Sequence, residues 1–176
     1  MKRTPEEILH RVLKVSRLDG WSVAIFAGGC GLASLVFGDP VGFSVGLFVA
    51  LGGALEVRGH HLLKHGHADG MRWLVRSQLV VLGTIWVYAA RQLLSFDLSI
   101  VREMATPDMR TALSELGLTL DDILPLVRRA SYLLWGSVMA VTLIYQGGLA
   151  LYYRRRTAAV VQALTTLPAV TVPPSA

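Results

Sequence analysis

Charge is scarce in this chain of 176 residues: Asp, Glu, Lys and Arg make up 16% of it, against 53% hydrophobic residues. A soluble domain carries nearer a quarter charged residues, so the balance points to lipid as the main solvent. Cysteine is almost missing. The single Cys30 excludes an intramolecular disulfide and any C-x-x-C chemistry. Catalytic and nucleotide-binding signatures are missing as well: no Walker loop, no GxGxxG opening a helix, no GxSxG elbow and no HExxH. Adjacent carboxylates occur at Glu6-Glu7 and Asp121-Asp122, both placed as helix-start charges. Classical catalysis therefore has no motif to stand on, and no catalytic residue or cofactor is expected. The net charge of +5 raises nucleic acid as a partner. Position argues against it, because the basic residues cluster at the ends of apolar runs and no basic, aromatic-interleaved groove motif appears.

What the chain does have is long apolar runs. Trp21 to Val57 is predominantly apolar, interrupted by the turn residues Gly38-Asp39-Pro40 and carrying Glu56 at its end. At about 1.5 Å per residue roughly 20 residues cross the hydrocarbon, so this run predicts two short spans joined by a turn. Polar residues including Glu6, Glu7 and Asp19 precede it, so it is expected to stay as an anchor and not to be a cleaved leader. Two further runs follow, and the spacing places spans at about 21–37, 41–57, 73–94 and 131–153, the last closed by Arg154-Arg155-Arg156. The expected fold is all-α, a four-span transmembrane helical bundle occupying residues 21–156.

Three smaller segments complete the layout. Residues 1–20 carry a capping box at Thr4-Pro5-Glu6-Glu7, apolar Ile8, Leu9, Val12, Leu13 and Val15, and basic His10, Arg11, Lys14 and Arg17. This pattern predicts an N-terminal amphipathic interfacial helix on anionic headgroups, ended by Asp19-Gly20. Residues 97–129 hold two helix starts, Thr106-Pro107-Asp108 and Thr119-Leu120-Asp121-Asp122, and predict a small extracytoplasmic helical hairpin. The tail, 157–176, is expected to be mostly disordered, with one short helix through Leu164. Lysine and arginine concentrate before the first span, after the second (Arg58, Lys64, Arg72) and after the fourth. The positive-inside rule then places both termini in the cytoplasm of a multi-pass inner (plasma) membrane protein.

Polar and small residues supply the candidate sites. Gly42, Gly46, Ala50 and Ala54 recur every fourth residue, a pattern for close helix packing within the hairpin or between subunits of a homo-oligomer. His60, His61, His65 and His67, with Glu56 one turn earlier, are weak metal candidates; a hydrated basic loop explains them without a ligand. Glu56 and Arg76 are expected to pair across the second and third spans. Gln78, Arg91 and Gln146 are further polar groups near or in spans, and no span carries an acidic centre of the kind a proton-coupled carrier needs. The leading functional reading is a non-enzymatic assembly or scaffold subunit that meets a membrane-protein partner through small-residue faces. The alternative is a homo-oligomeric ion channel or small transporter, and a third is a metal- or lipid-handling enzyme using the histidine loop.

Overall fold

The computed structural model describes residues 4–95, 102–103 and 105–166. Among them the chain is helical, with no strand. Helix α1 is Pro5–Val36, α2 Pro40–Lys64, α3 Gly70–Leu94, α4 Pro107–Glu115 and α5 Leu120–Thr142; a π turn, Leu143–Gly147, passes into α6, Gly148–Thr166. Four helical stretches are long and apolar enough to cross a membrane: α1, α2, α3 and the continuous run Leu120–Thr166. The described residues form two compact units, one within 1–85 and 142–176 and the other within 86–141.

Local chemistry sets the ends of the first two helices. The Thr4 hydroxyl accepts the Glu7 N–H, the Glu7 carboxylate accepts the Thr4 N–H, and Pro5 takes the first helical position. At the far end Gly38 turns the chain at φ +74°, a conformation that favours glycine. Asp39 then caps α2, its Oδ1 accepting the N–H groups of Val41 and Gly42 at 3.1 and 2.9 Å. The turn expected at Gly38-Asp39-Pro40 is therefore where the hairpin reverses. Helix α2 stops at Lys64, with Gly66 at φ +82°, and α3 begins at Gly70, ahead of the expected Trp73.

Two expectations are corrected in the first unit. Helix α1 does not stop at Asp19-Gly20; it runs unbroken to Val36. Gly20 is buried against α2, where a Cβ would stand 3.1 Å from Val57. The glycine thus serves close approach, which outweighs its modest helix-breaking tendency. Nor is the apolar face at Ile8, Leu9 and Val12 left uncovered by the rest of the chain. Ile8, Leu9 and Val12 form one core with Leu63, Met71, Leu74, Tyr153, Val160 and Ala163. The short helix expected through Leu164 is the end of α6, which runs to Thr166 with Val160 and Ala163 fully buried. Residues 167–176, where disorder was expected, lie outside the described residues.

Helices α1 and α2 pack through backbone-to-backbone seams. A Cβ on Gly46 would stand 2.6 Å from the Gly31 Cα, and one on Gly53 would stand 2.6 Å from the Ala24 N. Gly42, Gly46 and Ala50 face α1 as the four-residue spacing predicts, but Ala54 is exposed. The reason is helical phase. Each four-residue step overshoots a turn by about 40°, so three steps rotate the position by about 120°. The seam continues through Gly53 instead.

The second unit, 86–141, is held by aromatic and polar contacts. Trp86 donates its indole N–H to the Met139 carbonyl at 3.1 Å, and Tyr88 meets Trp135 edge-on at 5.3 Å. Helices open at both of the starts expected within 97–129, as α4 and α5; residues 96–101 and 104 lie outside the described residues. Asp122 accepts both the N–H and the hydroxyl of Thr119, at 2.8 and 2.6 Å, which holds its carboxyl below the usual carboxylate range. Arg102 pairs with Asp121 at 2.8 Å.

Helical phase and the seam together generate a test. Gly46→Val should destabilise the protein by at least about 1–3 kcal/mol, because the new side chain meets backbone that cannot move aside. Ala54→Val, on the exposed face, should stay within about 0.5 kcal/mol. Unfolding midpoints in mixed detergent measure both.

Candidate functional site

Four of the helical segments in the first unit deliver polar side chains to one buried point. Asp19 comes from α1, Glu56 from α2, Gln78 from α3 and Tyr153 from α6, and none is more than 7% exposed. Tyr145, from the π turn, reaches in from an exposed position. Gln78 Nε2 donates to both acids, at 3.2 Å to Asp19 Oδ2 and 2.7 Å to Glu56 Oε2. The remaining oxygens accept phenolic hydroxyls, Asp19 Oδ1 from Tyr145 at 2.8 Å and Glu56 Oε1 from Tyr153 at 2.7 Å. Each carboxyl oxygen therefore has a donor, as burial in a low-dielectric core demands.

The glycines of α2 explain why so many side chains can meet here. Gly53 brings α2 against the α1 backbone at Gly20 and Ala24. Gly52 abuts Val81, and Gly59 abuts Gly70 and Leu74, all on α3. Glu56 sits between these positions, so its carboxyl opens into the narrowest part of the packing. The π turn does the corresponding work for the tyrosines. Eight residues of plain α-helix would set Tyr145 and Tyr153 about 80° apart; absorbing one extra residue in a wide turn brings them to about 20°.

Position along the hairpin is equally defined. About 25 Å of helix separates Asp19 and Glu56 from the Gly38 turn, most of the roughly 30 Å of a hydrocarbon core. One turn further from the Gly38 turn, buried Ser16 meets His60, Oγ to Nδ1 at 3.2 Å. The polar line thus continues from the acids toward the core around Val12 and Leu63.

Charge and hydrogen bonding at the centre are unbalanced. Among the described residues no Lys, Arg or His hydrogen-bonds or ion-pairs with Asp19 or Glu56. The two acids accept from one nitrogen, so their oxygens lie within roughly 6 Å, where two full charges repel by about 3 kcal/mol even at an effective dielectric of about 20. Gln78 Oε1, in the centre itself, and Gln146 Oε1, in the π turn, are buried without a hydrogen-bond partner.

Several expected sites are placed elsewhere. Glu56 does not pair with Arg76. The Arg76 guanidinium lies 5.7 Å from the Trp73 ring centroid, with Arg58 at 4.5 Å from the same ring. These long cations reach outward to an aromatic face, which leaves Glu56 to neutral donors. The histidines do not converge either. His61 and His65 stack at 4.2 Å, His65 Nδ1 is spent on the His61 carbonyl at 2.8 Å, and His67 is exposed. Among the described residues no three His, Cys, Asp or Glu side chains form a group able to hold a metal ion. Arg91 is exposed, whereas Gln78 belongs to the centre. Asp19 and Glu56 meet as an acidic pair between α1 and α2, a convergence that the sequence reading did not anticipate. Sequence reasoning missed Asp19, Tyr145 and Tyr153, because it treated the first as a helix end and gave the two tyrosines no partner.

Neither family models, curated proteins nor solved structures yield a match to this chain.

A double-mutant cycle tests the geometry. Glu56→Gln and Tyr153→Phe should couple by about 1 kcal/mol in unfolding free energy, the range seen for buried polar pairs in membrane helices. Exchanging charges with Glu56→Arg and Arg76→Glu should give no rescue; rescue would restore the ion pair.

Proposed function

We propose that this chain is a multi-pass protein of the inner (plasma) membrane, with both termini cytoplasmic, and that it handles protons without being an enzyme. One observation carries the reading: two buried carboxyls on separate helices share the single Gln78 amide, with no basic side chain among the described residues to neutralise them. Intramembrane acids are costly and mark ion pathways and proton relays. The repulsion between two unneutralised carboxylates is relieved by a single proton shared between Asp19 and Glu56, which leaves the pair with one negative charge and the tyrosine hydroxyls as neighbouring donors. The lysine and arginine distribution supports the orientation, which puts the centre near the cytoplasmic interface. A chain of four short spans encloses a polar path across the bilayer only by associating, so the transporting form is a homo-oligomer or a complex with a membrane partner.

The assembly reading, a scaffold subunit packing through small residues, is favoured by a different observation. Gly29, Gly83, Gly136 and Gly148 have open space where a Cβ would stand, so their helix faces can receive another helix. The mass of the detergent-solubilised complex bears on both readings, since a strict monomer would leave neither a path nor a subunit interface.

Proton handling has its own test. Liposomes containing the protein should dissipate an imposed pH gradient faster than empty ones, and Glu56→Gln should remove the difference. Infrared difference spectra should show a protonated-carboxyl C=O band that is lost in Glu56→Gln or Asp19→Asn. Equal decay with and without protein, together with no such band, would end the proposal.

A further inference from the structure

A second built feature lies on the other side of α1 from its buried face. His10, Lys14 and Arg17 recur at four- and three-residue steps along α1, and His60 and Lys64 stand four apart on α2. Together with Leu13 and Leu18 they line a groove of about 540 Å³ between the two helices. No acidic side chain lines it. Lys14, Arg17 and Lys64 are exposed and form no salt bridge among the described residues. Three permanent cations therefore converge on one concave surface.

An apolar slot continues from this basic groove. Arg17, Leu18, Trp21, Ser22 and Ile25 line a further groove of about 450 Å³, sharing Arg17 and Leu18 with the first. Leu18, Trp21 and Ile25 are 64%, 53% and 66% exposed, although they belong to a helix apolar enough to span a membrane. The order along α1 is fixed: cations first, then tryptophan, then uncovered aliphatic surface running toward the Gly38 turn. That is the order of a phospholipid, with phosphate at the interface, glycerol at the aromatic belt and acyl chain in the hydrocarbon.

We infer that the α1–α2 groove binds one anionic phospholipid, its phosphate on Lys14, Arg17 and Lys64 and an acyl chain along Leu18, Trp21 and Ile25. Charge complementarity selects the anionic headgroup, and continuity of the slot selects a lipid over a free phosphate. His10 and His60 add hydrogen-bond donors at the rim. The site shares no polar side chain with the Asp19–Glu56 centre, and it stands whether or not that centre moves protons.

Native mass spectrometry of the detergent-solubilised protein, titrated with phosphatidylglycerol or phosphatidylcholine, tests this directly. Phosphatidylglycerol should be retained as a one-to-one adduct and phosphatidylcholine should not. Lys14→Gln, Arg17→Gln and Lys64→Gln together should weaken retention by about fivefold for each cation removed, roughly a hundredfold in all. The control triple, Arg154→Gln, Arg155→Gln and Arg156→Gln, removes the same charge elsewhere and should change it little. Ile25→Ser leaves every cation in place and should weaken long-chain phosphatidylglycerol while sparing a short-chain analogue. Equal loss in the control triple would overturn the inference in favour of a diffuse electrostatic field. Displacement by glycerol phosphate at equal concentration, or no retained lipid at all, would overturn it as well.

Discussion

Backbone proximity around Glu56 is the constraint on which the rest of the first unit depends. Gly53 on one side of α2 and Gly52 and Gly59 on another let α1 and α3 approach closer than any side chain would permit. In lipid, association gains little from the hydrophobic effect, so dispersion between closely spaced backbones carries the packing. The same closeness puts Asp19, Glu56 and Gln78 within hydrogen-bond distance and keeps them dry. Packing and site are one arrangement: enlarging a seam glycine separates the acids as surely as it separates the helices.

The first unit is also more than a set of spans. Beyond the acids, α1, α2, α3 and α6 go on to bury Val12, Leu63, Leu74, Val160 and Ala163 in an ordinary hydrophobic core. The acids therefore stand at a change in packing, with glycine seams on one side and an aliphatic core on the other. Ser16 and His60 lie between them and that core. A polar cluster at such a boundary is held from both ends.

Much of this was legible in the residues, and the misses have physical causes. The Asp39-Pro40 turn was readable because capping and φ are local properties. Register was readable too, once the chain is folded at that turn: Gly31 meets Gly46, Ala24 meets Gly53 and Gly20 meets Val57, each pair equidistant from the Gly38–Asp39 step. The same folding brings Ser16 to His60 and points Asp19 at the level of Glu56, so the acidic centre had a signal that a helix stop at Gly20 concealed. Ala54 was misplaced because a spacing of four is not the helical period. Tyr145 and Tyr153 had no readable signal, since their common face depends on a wide turn that no composition rule marks. Glu56 was assigned to Arg76 on charge alone, whereas Arg76 is long enough to reach outward to Trp73.

The turn at Leu143–Gly147 holds one residue more than a plain helical turn, and that extra residue carries the two phenols to their acids. That surplus is mobile in principle, because a wide turn can pass along a helix by exchanging one hydrogen bond at a time while both ends stay put. Were it to travel past Tyr153, the two rings would diverge in azimuth by about 80° and one hydroxyl would swing off its carboxyl. The polypeptide thus carries a latent slip of a single register step, enough to uncouple one phenol from its acid without shifting a helix end.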